Sequence, residues 1–280
     1  MAHQASHPSG VSKLVPDLSG RIAALARYIG WPPRVIAKLT DDDISYLINL
    51  ACWIREVCRL VDAPPNELTT DAFLLKALCV AEQLGVKQTV ISGEDLKRQN
   101  FGGIYNVGKA GSTPPAFAVL SYEPKDAKET YCLVGKGVVF DTGGMQIKGK
   151  TGMPAAAVLG AFYLLVSAKF QHNLHACLCI VENNISPIAN KPDDIITMLS
   201  GKTVEINNTD AEGRLILADG VYYAKNTLKV TSVLTRTGGR FFRYADLILS
   251  GPGAVPFFSD EVVLGLRFLN LAAFSPFRGK

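Results

Sequence analysis

The longest apolar run in the 280 residues, Pro154–Ala168, is fifteen residues and ends at Lys169. A membrane-spanning helix needs roughly twenty, so this run reads as a buried core helix. The first ten residues carry no basic stretch followed by an apolar core, and a secretory signal is not expected. Charge of one sign is scarce too: 29 Lys and Arg against 25 Asp and Glu leave a net +4. Nucleic-acid-binding proteins concentrate far more positive charge on one face, so the sequence does not point to DNA or RNA. Cysteine is too sparse for a disulfide scaffold. The six, at 52, 58, 79, 132, 177 and 179, sit mostly in apolar stretches and read as thiols in a reducing compartment. A cytoplasmic location is the expectation. The 48 % hydrophobic content excludes a disordered chain, and 25 Gly and 15 Pro without a period exclude a collagen-like one.

What is present alternates between helices and strands. Apolar residues from Ile22 to Ile29 have helical spacing, and Thr40 precedes a longer helix with Ile44, Leu47, Ile48, Ala51, Ile54, Val57, Cys58 and Val61 on its apolar face. After the Ala63–Asn66 turn, Thr69 or Thr70 caps a helix that Gly85 closes. Strands are predicted at Gln88–Ser92, Ala116–Tyr122, Thr130–Phe140, Leu174–Glu182, Thr203–Ile206 and Lys229–Leu234. Helices are predicted at Gly93–Gln99, Ala155–Lys169 and Glu212–Lys225, and a glycine-rich loop from Gly102 to Pro115. This order predicts an α/β fold: a mixed sheet flanked by helices.

Two clusters look like sites and are not read as such. Gly103–Lys109 follows the phosphate-loop pattern GxxxxGK, but Ala110 replaces the hydroxyl residue that would hold Mg²⁺, and Gly111–Pro115 stops a helix from following. His172, His175, Cys177 and Cys179 offer four soft ligands within eight residues. Strand cysteines spaced by one residue lack the tight-turn geometry of zinc knuckles, so these read as loop histidines followed by core thiols.

A third constellation is different in kind. Lys136-Gly-Val-Val-Phe-Asp141-Thr-Gly-Gly144 ends a strand and opens a glycine loop leading to Lys148. Asn207-Asn-Thr-Asp210-Ala-Glu212-Gly-Arg214 ends another strand and opens a helix. Carboxylates at strand C-termini of an open α/β sheet face the crevice where ligands bind. Asp210 and Glu212, one residue apart in an extended turn, aim two oxygens at one point, and Asp141 adds a third hard donor suited to a divalent cation. Lys148 and Arg214 would set positive charge beside a polarised carbonyl. Turn formation by Asp-Thr-Gly-Gly and helix capping by Asp-Ala-Glu-Gly remain the alternative account of the same residues.

In these blocks, Val134–Gly144 with Lys148 and Asn208–Asp219, the sequence resembles the leucine aminopeptidase family, the M17 metallopeptidases. Ala63-Pro-Pro-Asn-Glu-Leu-Thr69 is similar to the turn before the family's catalytic domain, and Val204–Asp210 lies nearest the probable aminopeptidase-like branch. The resemblance implies a two-metal site of zinc or manganese, with Lys136, Asp141, Asp210 and Glu212 as metal ligands and Lys148 and Arg214 catalytic. Lys136 would coordinate through a neutral amine. It also implies bicarbonate near the Arg, peptide substrates, removal of N-terminal residues, and a homo-oligomer, a hexamer in the family.

The chain departs from the family in two places. The family places another Asp on the helix after the Lys148 loop, whereas no Asp or Glu occurs from Thr142 to Val181. A short stretch is missing there, and the second ion is expected to bind weakly or not at all, since three carboxylates do not balance two dications. Beyond Thr227 almost nothing of the family pattern continues. The expected organisation is an N-terminal segment over 1–44, a partial catalytic domain over 45–227 and a divergent tail over 228–280. Two readings follow: a metalloaminopeptidase of impaired activity, or a non-catalytic relative acting through association with other subunits.

Overall fold

Ala176–Val181 is an unbroken apolar run, the pattern of a strand covered on both faces. In the computed structural model, which describes residues 41–148, 154–237 and 240–243, it lies in one of the two central strands of a six-stranded sheet. The expected helix near Ile22, the Thr40 cap, the Gly149–Met153 junction and the tail beyond Arg243 fall outside the described residues. The chain divides into two units between Trp53 and Ile54. Helix α1 (Asp41–Asp62) begins in the first, and the sheet belongs to the second. The buried positions of α1 include Leu47, Leu50, Val57 and Leu60, whereas Ile48, expected on its apolar face, is exposed.

The elements that follow are α2 (Thr70–Leu84), β1 (Lys87–Ser92), α3 (Glu94–Arg98), α4 (Gly102–Gly108), β2 (Ala116–Tyr122), β3 (Thr130–Asp141), α5 (Pro154–Ser167) and β4 (Asn173–Asn183). A small hairpin-like pair, β5 (Ile195–Thr197) and β6 (Thr203–Glu205), precedes α6 (Glu212–Asn226), β7 (Ser232–Thr237) and β8 (Arg240–Arg243). The sheet order is β1-β2-β4-β3-β7-β8. β3 runs parallel to β4 and β7, and the β1–β2, β2–β4 and β7–β8 pairs are antiparallel. The fold is thus the expected mixed α/β sheet with flanking helices.

Local chemistry accounts for most boundaries. Thr69 caps α2 by accepting from the Ala72 N–H, and the Gly85 N–H closes it on the Ala81 and Glu82 carbonyls. Helix α5 is apolar and buried from Ala155 to Val166, as a core helix must be. A Cβ on Gly135 of β3 would stand 3.0 Å from Ala155 Cα, so α5 rests on one face of the sheet. On the other face, Gly220 of α6 would bring a Cβ to 2.7 Å from Val134 Cγ1 and 2.8 Å from Cys179 Sγ.

Two expectations are corrected. Gly102–Gly108 is a buried helix, not part of a surface loop, and packs on α6. Glycine disfavours helix, but tertiary burial overrides that preference here. Thr203–Glu205 pairs with β5 in a separate two-stranded sheet instead of joining the main one. Among the described residues, no helix is long and apolar enough to cross a membrane.

Candidate metal centre

Asp141 is the last residue of β3, and its placement depends on an irregularity in that strand. Lys136 and Asp141 are five residues apart, so an uninterrupted strand would send their side chains to opposite faces. The register against β4 slips between Val138 and Phe140, where β3 holds one extra residue. Lys136 therefore pairs with Cys179 and Asp141 with Asn183, an even separation on β4, and both side chains reach one face. Lys136 Nζ stands 4.0 Å from Asp141 Oδ2.

The loop after β3 turns back at once. Gly143 and Gly144 take φ of +80° and +58°, a left-handed pair that glycine adopts without strain. The Gly143 N–H donates to Asp141 Oδ1 at 3.0 Å. Ile147 has φ +48°, a costly conformation for a β-branched residue. The Lys148 N–H donates to Thr142 O at 2.6 Å, and this return points Lys148 at the carboxylates.

Asp210 and Glu212 arrive from the other side. The expected extended turn is a 3-10 turn, Thr209–Ala211, running directly into α6. Asn208 winds it by accepting from the Asp210 N–H at 2.8 Å. The pair does not end a strand of the main sheet, since β6 stops at Glu205 in the small one. Thr209 joins the two segments: its hydroxyl donates to Gly143 O at 2.7 Å and accepts from the Gln146 N–H at 3.1 Å.

Carboxylate oxygens of Asp141, Asp210 and Glu212 lie within 4.8 Å of one another. Lys136 Nζ is 2.5 Å from Glu212 Oε1, and Lys148 Nζ is 2.8 Å from Asp141 Oδ2 and also pairs with Asp210 Oδ1. Asp141 Oδ2, Asp210 Oδ1 and Glu212 Oε1 are buried without a well-formed hydrogen bond, facing only these ammonium groups. Three carboxylates against two ammoniums leave net negative charge in a largely buried place. Hard oxygens, buried and under-bonded, fit a divalent cation. Arg214, on the first turn of α6, is exposed and forms no ion pair among the described residues.

The protonation equilibria reflect this crowding. Burial raises the Glu212 pKa, the Lys136 ammonium opposes it, and the negative Asp141 adds to the rise. Burial would also raise Asp141, but Lys148, the Gly143 N–H and Asn183 outweigh it and hold that carboxyl below its usual range. Burial disfavours the Lys148 charge, yet Asp141 and Asp210 more than compensate and raise its pKa.

The four soft ligands set aside from the sequence do not converge. His172 lies against the Tyr131 and Phe170 rings, His175 Nδ1 is 2.8 Å from Ser121 Oγ, and Cys177 and Cys179 are core residues.

Three residues with roles here escaped the sequence analysis. Asn183, at the end of β4, donates from Nδ2 to Asp141 Oδ1 at 3.0 Å and to Thr209 O at 3.1 Å. The rule that marked Asp141 at a strand C-terminus would have marked it too. Thr209 stands inside the second block, where nothing in its residue type sets it apart from its charged neighbours. Asp219, fully buried, accepts from the Ile104 N–H at 3.0 Å and the Leu199 N–H at 2.9 Å, tying α4 and the β5–β6 turn to α6.

Burial pushes the Asp219 pKa up to about 6, although the Leu199 and Ile104 amides pull the other way. The folded chain therefore retains a proton that the unfolded chain releases between about pH 4 and 6. Stability from this group is greatest at low pH and is lost as pH rises through that window. The stability of the natural chain relative to Asp219→Asn should fall by about 2 kcal/mol between pH 4 and 7. Urea melts of both proteins across that range measure it, and a pH-independent difference would refute the shift.

Residues 56–239 match the catalytic domain of the cytosol aminopeptidase family, peptidase M17. Leucine aminopeptidase 1 of Caenorhabditis elegans is 60 % identical over 217 residues, covering 74 % of this chain and 44 % of that protein. The human protein named probable aminopeptidase NPEPL1 is 52 % identical over 208 residues, covering 70 % of this chain and 40 % of that one. Among solved structures, the C. elegans leucine aminopeptidase superposes with a TM-score of 0.69 at 58 % identity, over 75 % of this chain and 45 % of that chain. Leucyl aminopeptidase from Trypanosoma brucei, in complex with bestatin, gives 0.66 at 44 % identity, over 68 % and 39 %. The chain thus spans less than half the length of these relatives, yet it carries the strand, loop and helix start that form the carboxylate cluster. On this agreement of sequence blocks, fold and family match, the chain belongs to the cytosol aminopeptidase family.

Proposed function

We propose that this chain carries a partial M17 catalytic domain that binds a divalent cation and acts on the N-terminal end of peptides. The observation that carries the reading is the net negative cluster of buried Asp141 and Glu212 with half-buried Asp210, whose inward oxygens meet only the lysine ammoniums. These three carboxylates would hold the ion, zinc or manganese, and Lys136 would join them as a neutral amine. A divalent cation supplies Lewis acidity toward a peptide carbonyl. Lys148, already between two carboxylates, offers positive charge for a carbonyl oxygen, and Arg214, exposed on the first turn of α6, would supply a second cation and hold bicarbonate.

One observation favours weaker activity than in full-length relatives. Helix α5 carries no acidic residue, so it supplies no carboxylate to a second ion. A non-catalytic subunit acting through association with other subunits is the second reading. The six cysteines, spread through apolar stretches, suit a reducing, cytoplasmic setting.

Native mass spectrometry of the whole chain with Mn²⁺ or Zn²⁺ titrated in, beside assays on short peptides with free or acetylated N-termini, tests this. The expected result is one ion per chain and slow, chelator-sensitive release of residues from free N-termini only. Ion binding without release would favour the non-catalytic subunit, and the same spectra would give the assembly mass. No ion at millimolar metal would overturn the proposal.

A further inference from the structure

We propose that Asn183 is a positioning residue of the candidate centre, setting the spacing of its carboxylates without itself touching the ion. The inference rests on the metal-binding reading above. Asn183 is buried at the C-terminal end of β4, opposite Asp141 in the last pair of the parallel ladder. Its Nδ2 faces three acceptors: Asp141 Oδ1 at 3.0 Å, Thr209 O at 3.1 Å and Glu212 Oε2 at 3.4 Å. All three accept only, so the amide can point just one way. One NH₂ group therefore links the end of β3, the 3-10 turn and the first residue of α6.

The division of oxygens gives this link its consequence. Asn183 engages Oδ1 of Asp141 and Oε2 of Glu212, the atoms turned away from the lysines. Oδ2 and Oε1, the buried oxygens without hydrogen bonds, remain directed at the cluster. A neutral donor suits this task. An ammonium in the same place would add positive charge and compete with a cation, whereas an amide restrains both carboxylates and leaves their charge intact. Without it, Asp141 keeps the Gly143 N–H and the lysines, Glu212 keeps chiefly Lys136, and the repulsion between the two carboxylates is no longer restrained by a shared donor. Groups that orient metal ligands from behind are typically worth about 10- to 100-fold in affinity.

The test is Mn²⁺ binding followed by the loss of the free-ion electron paramagnetic resonance signal, with thermal melting on the same samples. Asn183→Ala removes the amide. Asn183→Leu keeps the volume and carries the test should the smaller residue leave an unfolded chain. Thr69→Ala, a helix-cap variant away from the cluster, controls for general loss of stability. We expect the Asn183 variants to bind Mn²⁺ about 10- to 100-fold more weakly, while Thr69→Ala binds as the natural chain does. Binding by both Asn183 variants within about twofold of the natural chain would overturn the positioning role and leave the metal reading standing. Equal weakening by Thr69→Ala would also overturn it, since the effect would then follow stability alone. Absence of Mn²⁺ binding by the natural chain would overturn both.

Discussion

Glu212→Ala is expected to abolish divalent-cation uptake and to cost about 3 kcal/mol of stability. The two effects have separate origins. Glu212 is 1 % exposed and meets Lys136 Nζ at 2.5 Å, so its removal strands an ammonium in a mostly buried place. Breaking a buried pair from one side typically costs about 3–5 kcal/mol. The lower end applies because Asp141 remains 4.0 Å from Lys136 and because removing one carboxylate relieves repulsion on the other. Replacing both partners with apolar residues, Lys136→Met with Glu212→Leu, should recover most of the stability, since hydrophobic substitutes for a buried pair are often neutral. The double variant should still bind no ion. Urea denaturation and native mass spectrometry read the two quantities independently. Retention of natural ion affinity by Glu212→Ala would remove it from the ligand set.

Gly102→Ala should destabilise the fold by about 2 kcal/mol or more, with the opposite sign to helix propensity. In an isolated helix this change gains about 1 kcal/mol. At Gly102, however, a Cβ would lie 1.7 Å from Thr197 O and 2.8 Å from Thr197 C, backbone atoms that no side-chain rotation can move. Either α4 or β5 must shift, and the next residue, Gly103, is equally confined at 2.4 Å from Leu215 O. Overpacking of a tight contact costs about 1–3 kcal/mol and occasionally more, which exceeds the propensity gain. A lower urea midpoint is the expected readout. A higher midpoint would show that α4 does not sit against β5 and α6 as described. Because displacement of α4 would loosen the Ile104 amide from Asp219, the variant should also alter the Asp219-linked pH dependence.

Where local preference and tertiary burial agree, the sequence was sufficient. The apolar run before Glu182 became β4, Thr69 and Gly85 bound α2, and Glu212–Lys225 became α6. The two blocks around Asp141 and Asp210 also announced which carboxylates would meet, because glycine and Asx turns leave few paths for the chain. The Gly102–Gly108 segment is a helix despite its loop-like composition because its glycines serve close approach to Thr197 and Leu215, partners distant in sequence.

By itself, the sequence determined the alternation of elements, the membership of the sheet's central strands and the carboxylate set, all consequences of patterns a few residues long. Tertiary structure alone decided that Lys136 and Asp141 share a face, since that depends on one extra residue in β3 measured against β4. It also decided that Asn183 links three segments and that Asp219 anchors α4. These are pairings across 26 to 115 residues of chain, and no local periodicity records them. They arise because buried polar groups must find partners wherever the completed fold brings them.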